Sequence, residues 1–275
     1  MPELPEVETT RRGIATIMPG QALTRLIVHE SRLRWPIPAE LPLKIAGRVV
    51  LSCQRRGKYL LINFSNGTQI IHFGMSGSLR RVPMDEPRRK HDHVEWVFAQ
   101  ARFLLHDPRR FGAVLWHEAS DGPIMTHPLF GKLGIEPFDP LFTANYFHER
   151  LQGKTMAIKQ VLLAGHIVVG VGNIYASEAL FQARIHPLLG AGKLSLNRCK
   201  RLVDSIQQTL QQALTSGGST LRDYVNAQGK PGAYFEHYAA VYGHAQQPCR
   251  VCNTPIRRIV QGQRATYYCP KCQRK

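Results

Sequence analysis

Cys249-x-x-Cys252 and Cys269-x-x-Cys272, with 16 residues between the pairs, constrain the end of this chain more than any other feature does. Each C-x-x-C puts two thiols on one tight turn, and four thiols at this spacing fit a tetrahedral zinc site. The stretch between the pairs has the length of one hairpin. Two disulfides are the competing reading. Four cysteine ligands leave no position for bound water, so the metal expected here is one structural zinc ion, not a catalytic one. From Val241 onward the module has seven Arg or Lys and neither Asp nor Glu. A hairpin this basic suits phosphate, and Arg264, between the pairs, is the candidate to enter a groove; a solvated basic surface is the plainer alternative. Cys53 and Cys199 lack partner spacing and are expected as buried apolar residues.

Charge extends the same argument to the whole chain. Lys and Arg number 36 against 19 Asp and Glu, a net charge of +17. Such an excess favours a polyanion, because neutralised phosphates release their counterions. DNA, RNA and an anionic membrane all satisfy it. No apolar run approaches the ~20 residues of a spanning helix, and MPELPEVETTRRG is too acidic and polar for a signal peptide. A cytoplasmic protein is expected, which disfavours disulfides. The sequons at Asn63 and Asn66 are then chance matches.

The remaining pattern divides in two. Past Pro5 the opening segment reads as a helix, with Val7, Ile14 and Ile17 on one side and Gly20 beyond its end. From about 23 to 117 short β-rich runs follow, among them 26–28, 58–64, 69–73, 93–98, 102–106 and 113–116, with Asn66-Gly67 as a hairpin turn. From about 140 the pattern is helical: segments near 155–164 and 173–183, then a long helix through Leu202, Ile206, Leu210 and Ala213 that Gly217-Gly218 ends. Residues 217–238 read as a loop, and the last 35 as a module without a core of its own. The chain is long enough for two domains.

At the other terminus, Pro2 is small enough for the initiator Met to be removed, which exposes a secondary amine. An α-amino group titrates near 7.7–8.0, so part of it is neutral and nucleophilic at physiological pH. Attack of such an amine on a sugar carbon yields an iminium, an electron sink for later elimination. Glu3 stands beside it as acid or base, with Glu6 a further carboxylate. An acidic first helical turn is the plain alternative for this dipeptide.

MPELPEVETTRRG at 1–13 resembles the start of the formamidopyrimidine-DNA glycosylase (Fpg) family. RRGKYLL at 55–61, HFGMSGSLR at 72–80, KHDHVEW at 90–96, DPRRFG at 107–112, GVGNIYASEALF at 170–181 and the four-cysteine module follow in the family's order, so the resemblance spans the chain. It implies an α+β fold: an N-terminal β-sandwich with the opening helix (1–132), a helix–two-turn–helix domain (133–240) with a lesion loop at 217–238, and a zinc finger (241–275), with DNA running between domains. It implies excision of oxidised purines from double-stranded DNA, and cleavage at the resulting or a pre-existing abasic site.

Roles carry over by position. Pro2 matches the Schiff-base nucleophile, Glu3 the acid assisting ring opening, Lys58 the proton-transfer group of β-elimination, and Arg264 the phosphate-gripping arginine linked to δ-elimination. Met75, Arg109 and Phe111 match the side chains that fill the gap left by an extruded base, and such an apolar wedge holds a duplex kinked. His91, Arg109 and Lys154 match DNA-backbone contacts, joined by Lys159 and Asn173; the turn before Asn173 suits a phosphate. A monomer is expected. An endonuclease VIII-like glycosylase for oxidised pyrimidines is the alternative within the class. A non-catalytic damaged-DNA binder and an RNA-binding zinc ribbon are the alternatives outside it.

Overall fold

The computed structural model describes residues 2–219, 227, 229 and 231–275. The chain divides into two compact units, Met1–Gly131 with Leu214–Phe235, and Lys132–Ala213 with Glu236–Lys275. Much of the 217–238 segment read as a lesion loop, residues 220–226, 228 and 230, lies outside the described residues.

The first unit opens with helix α1 (Leu4–Ala15). Pro5 sits in its first turn, where a missing N–H costs nothing, and Leu4, Val7 and Ile14 are buried. The helix stops at Ala15, earlier than Gly20 suggested, but Met18 N–H still reaches Ile14 O at 2.9 Å, so the chain turns on through Ile17. Two four-stranded antiparallel sheets follow. One has the order β1 (Arg25–Val28), β6 (Asp92–Val97), β7 (Arg102–His106), β5 (Ser78–Val82). The other runs β2 (Val50–Arg56), β3 (Tyr59–Phe64), β4 (Gly67–His72), β8 (Ala113–Glu118). A short helix, α2 (Leu41–Ile45), precedes β2.

β2 places Val50 and Cys53 inward and Leu51 and Gln54 outward; their spacing of three, where alternation alone would give two, follows the register shift between Val50 and Ser52. One apolar cluster takes in Val7 and Ile14 of α1, Leu60 and Ile62 of β3, Val94 and Trp96 of β6 and Phe103 of β7. β2 and β5 were not among the expected runs, because QRR and RRV interrupt their apolar pattern. The hairpin expected at Asn66-Gly67 is present, but Phe64 pairs with Gly67, so Ser65 and Asn66 form its turn. Gly67 serves a close approach: a Cβ there would lie 2.5 Å from the Trp116 ring.

The second unit contains α3 (Ala144–Leu151), α4 (Ile158–Ala164), α5 (Asn173–Gln182) and most of the amphipathic α6 (Leu196–Thr215). Thr143 caps α3 by accepting the Tyr146 N–H. Residues Tyr234–Tyr238 form a further helix, α7, within the stretch read as loop. The antiparallel hairpin β9 (Arg257–Gln261) and β10 (Arg264–Tyr268) lies between the cysteine pairs. Its module does have a small apolar cluster, since Val241, Ile256, Cys249 and Cys269 pack with Phe181 of α5. Phe181 was out of reach of a reading confined to the last 35 residues. Cys53 and Cys199 are buried as expected. No helix among the described residues is long and apolar enough to cross a membrane.

Candidate active site

Pro2 is buried and leads straight into the cap of α1. Glu3 is the N-cap in extended conformation and only 2% exposed. Glu6, equally buried, closes a capping box: its Oε2 accepts the Glu3 N–H at 2.8 Å. Glu6 Oε1 accepts a second N–H, from Ser219 at 2.7 Å. One carboxylate therefore holds both the residue after the Pro2 amine and the chain that follows α6. An acid three residues past an N-cap is legible in sequence; its second bond, 213 residues away, is not.

Lys58 stands in the turn between β2 and β3. Arg55 braces that turn by donating to Gly57 O at 2.8 Å and to Glu8 Oε2 at 3.3 Å. Burial pushes the Glu8 carboxyl up, but hydrogen bonds from Arg11 and Arg12 outweigh it and leave it below the usual range. His72, which sequence reading passed over, lies across the ladder from Tyr59. Burial, then the charges of Lys58 and Arg34, lower its pKa to about 4. The ring is thus neutral at pH 7, and its Nδ1 accepts the Gly74 N–H at 3.0 Å.

Met75 and Phe111 are 44% and 46% exposed, unusual for large apolar side chains. The Arg109 guanidinium stacks on the Phe111 ring, 4.8 Å from its centroid. His91, half-buried, lies beside His93 and His106 with ring centroids 6.0 Å apart. The first unit thus stacks Arg109 on Phe111, with the backbone beside Met75 close against Phe111, and presents Pro2 and Glu3 at the cap of α1 and Lys58 in the β2–β3 turn.

In the second unit, Arg264 is exposed at the start of β10 and Lys154 is exposed after α3. Asn173 opens α5, donating to Ala265 O at 2.9 Å and to the Tyr242 hydroxyl at 3.2 Å. Lys159 corrects the expectation of a direct DNA-backbone contact. It is 1% exposed, and its ammonium donates to Asn173 Oδ1 at 2.7 Å, Thr266 Oγ1 at 2.8 Å and Ala265 O at 3.3 Å. Its charge is spent inside the unit, fastening α4 and α5 to β10. Glu178 of α5 does the same on the other side: buried, it accepts the N–H groups of Ala240, Val241 and Tyr242. Lys159 looks like any basic helix residue in sequence, and only packing turned it inward.

The four cysteine sulfurs lie within 4.8 Å of one another, with Cys252 and Cys269 at 3.4 Å and Cys249 and Cys272 at 3.9 Å. A tetrahedron with Zn–S of about 2.3 Å has edges of about 3.8 Å. The Val251 and Cys272 N–H groups point at Cys249 and Cys269 sulfur. The set fits one structural zinc ion, and that ion contributes folding and not chemistry.

Comparison with known proteins extends over the whole chain. Residues 1–114 match the formamidopyrimidine-DNA glycosylase N-terminal domain, 133–225 its H2TH domain, and 246–274 the zinc finger found in FPG and IleRS. A formamidopyrimidine-DNA glycosylase of Bordetella petrii is 64% identical over 275 residues, all of both chains. A mutant Lactococcus lactis Fpg, solved with Fapy-dG-containing DNA, is 34% identical with a TM-score of 0.92 over 100% of each chain. The wild-type Lactococcus lactis Fpg in complex with DNA containing an oxidised pyrimidine is 33% identical, with a TM-score of 0.91 over the same coverage. Sequence identity over the full length, three domains in order and a shared fold have one explanation: the chain belongs to the formamidopyrimidine-DNA glycosylase family.

Proposed function

We propose that this chain is a bifunctional DNA glycosylase and abasic-site lyase of base excision repair, acting on oxidised purines (8-oxoguanine and formamidopyrimidines) in double-stranded DNA. Its place of action is the cytoplasm, on nucleoid DNA. The observation that carries the reading is the buried Pro2–Glu3 pair held at the cap of α1 by Glu6.

With Met1 removed, the Pro2 nitrogen attacks C1′ of the damaged nucleotide. The C1′–N bond breaks and the base leaves with its bonding pair, taking up a proton. Glu3 protonates the sugar ring oxygen as the ring opens, which leaves an iminium between Pro2 and C1′. That cation makes the C2′ proton acidic. Its transfer to a base, assigned to Lys58, expels the 3′ phosphate, and a second elimination, aided by Arg264 on the other phosphate, expels the 5′ one. Water finally releases the sugar fragment and regenerates the amine. Met75, Arg109 and Phe111 fill the stack from which the base was drawn. His91, Lys154 and Asn173 contact the backbone, and Lys159 contributes by holding Asn173 and β10.

Borohydride reduction of the iminium tests the reading. Wild-type protein on an 8-oxoguanine duplex should form a covalent adduct, and Pro2→Gly should not. An adduct and strand cleavage equal to wild type in Pro2→Gly would end the assignment. Oxidised pyrimidines are a second reading, favoured by the Lactococcus lactis complex with such a lesion. A thymine-glycol duplex excised faster than the 8-oxoguanine duplex would select it.

A further inference from the structure

Asp107 is fully buried, yet it stands where three segments meet, two of which carry the exposed Met75 and the exposed residues 108–111. Its Oδ1 accepts the Ser76 hydroxyl at 3.1 Å, and its Oδ2 accepts the Gly112 N–H at 2.7 Å. Its backbone N–H donates to His91 O at 2.9 Å, and its carbonyl accepts the Arg110 N–H at 3.1 Å and the His93 Nε2–H at 3.0 Å. The first two segments are the ones that carry Met75 and the Arg109–Phe111 stack. They also touch backbone to backbone, since a Cβ on Gly74 would lie 2.3 Å from the Phe111 carbonyl carbon. Beyond this seam Met75 and residues 108–111 are exposed.

We infer that Asp107 is a positioning residue: its carboxylate fastens the 74–76 and 109–112 segments into one rigid wedge, so that Met75 and Phe111 enter a base stack together. This rests on the proposed role of those side chains in filling the stack. A carboxylate suits the task because it offers two acceptor oxygens to two donors from different segments, at 0% exposure where water cannot compete. Without it each loop would be ordered separately, at the moment of insertion. The duplex step would then slow, while chemistry at a sugar already out of a stack would not.

The test compares Asp107→Ala and Asp107→Asn on two substrates, an 8-oxoguanine duplex and a single-stranded oligonucleotide with an abasic site. The second has no stack to fill. Loss of two charge-assisted bonds should lower duplex excision by Asp107→Ala about 30-fold. Cleavage of the single strand should stay within about 3-fold, a difference of well under 1 kcal/mol. A 2-aminopurine beside the lesion should brighten less, because its stacking partner is replaced less often. Asp107→Asn keeps an acceptor for Gly112 and presents an amide N–H to the Ser76 oxygen, so it should restore duplex excision. If Asp107→Ala does not fold, Ser76→Ala removes one of the two bonds and should slow the duplex alone. An equal fall on both substrates, or no fall on the duplex, would overturn the inference. Wild type on both substrates separates the claims: if it is inactive, the proposed reaction goes and this inference with it.

Discussion

Gly74→Ala puts a methyl group where the structure has no room for one. At φ +61° the residue is left-handed, and its Cβ would lie 2.3 Å from Phe111 C, 2.5 Å from Phe111 O and 2.6 Å from Gly112 N. All three are backbone atoms, so no rotamer change relieves the contact, and the 111–112 chain must retreat by about 1 Å to reach ordinary van der Waals distance. The left-handed conformation costs about 1 kcal/mol and overpacking about 1–3 kcal/mol more. Gly47→Ala isolates the first part, because Gly47 has φ +73° with nothing within 4 Å of a Cβ. At about 2–4 °C per kcal/mol for a protein of this size, melting should fall about 3 °C for Gly47→Ala and about 9 °C for Gly74→Ala. Thermal denaturation by circular dichroism measures both. Duplex excision should drop for Gly74→Ala alone. Equal melting points for the two variants would refute the argument, since they would mean that the 74–111 contact yields without cost.

Three further outcomes follow from the same geometry. Lys159→Met removes two short charge-assisted bonds but also a buried ammonium, so the net loss should be about 2 kcal/mol; hydrogen exchange should rise at Ala265 and Thr266 and stay unchanged in the first unit. Chelation of zinc should unfold the 246–274 module, which has few apolar side chains of its own, and abolish DNA binding, with one zinc per chain released in a metal assay; full binding after complete zinc loss would contradict it. His72 is neutral in the folded protein, with its pKa lowered from 6.5 to about 4. The unfolded chain therefore takes up a proton first, and stability should decline as pH falls from 6.5 to about 4 by up to about 3 kcal/mol, then level off. Denaturant titrations should show a steeper decline in wild type than in His72→Gln, because His93, His127, His186 and His244, also lowered by burial, contribute equally in both.

The parts of this molecule legible in sequence are those whose meaning is local. Two C-x-x-C pairs announce a zinc site because the chain itself holds each pair of thiols together. A proline and a glutamate next to each other stay next to each other in any fold, and the family's motifs name their roles. Alternation revealed most strands of the sandwich but not β2 and β5, where arginines, among them the buried, ion-paired Arg80, break the apolar count. Partners chosen across long stretches of chain were invisible. Lys159 reads as a surface cation, yet it donates its hydrogen bonds to residues 14 and 107 positions away. Glu6 reads as an acidic helix start, yet it holds Ser219. Asp107 reads as one letter of DPRRFG, yet it ties the Ser76 and Gly112 segments together. Sequence alone determined which chemical groups this protein carries and which family it resembles. Tertiary structure alone decided which of those groups face water and which are spent inside, because the energy of a buried charge depends on partners that only folding brings within 3 Å.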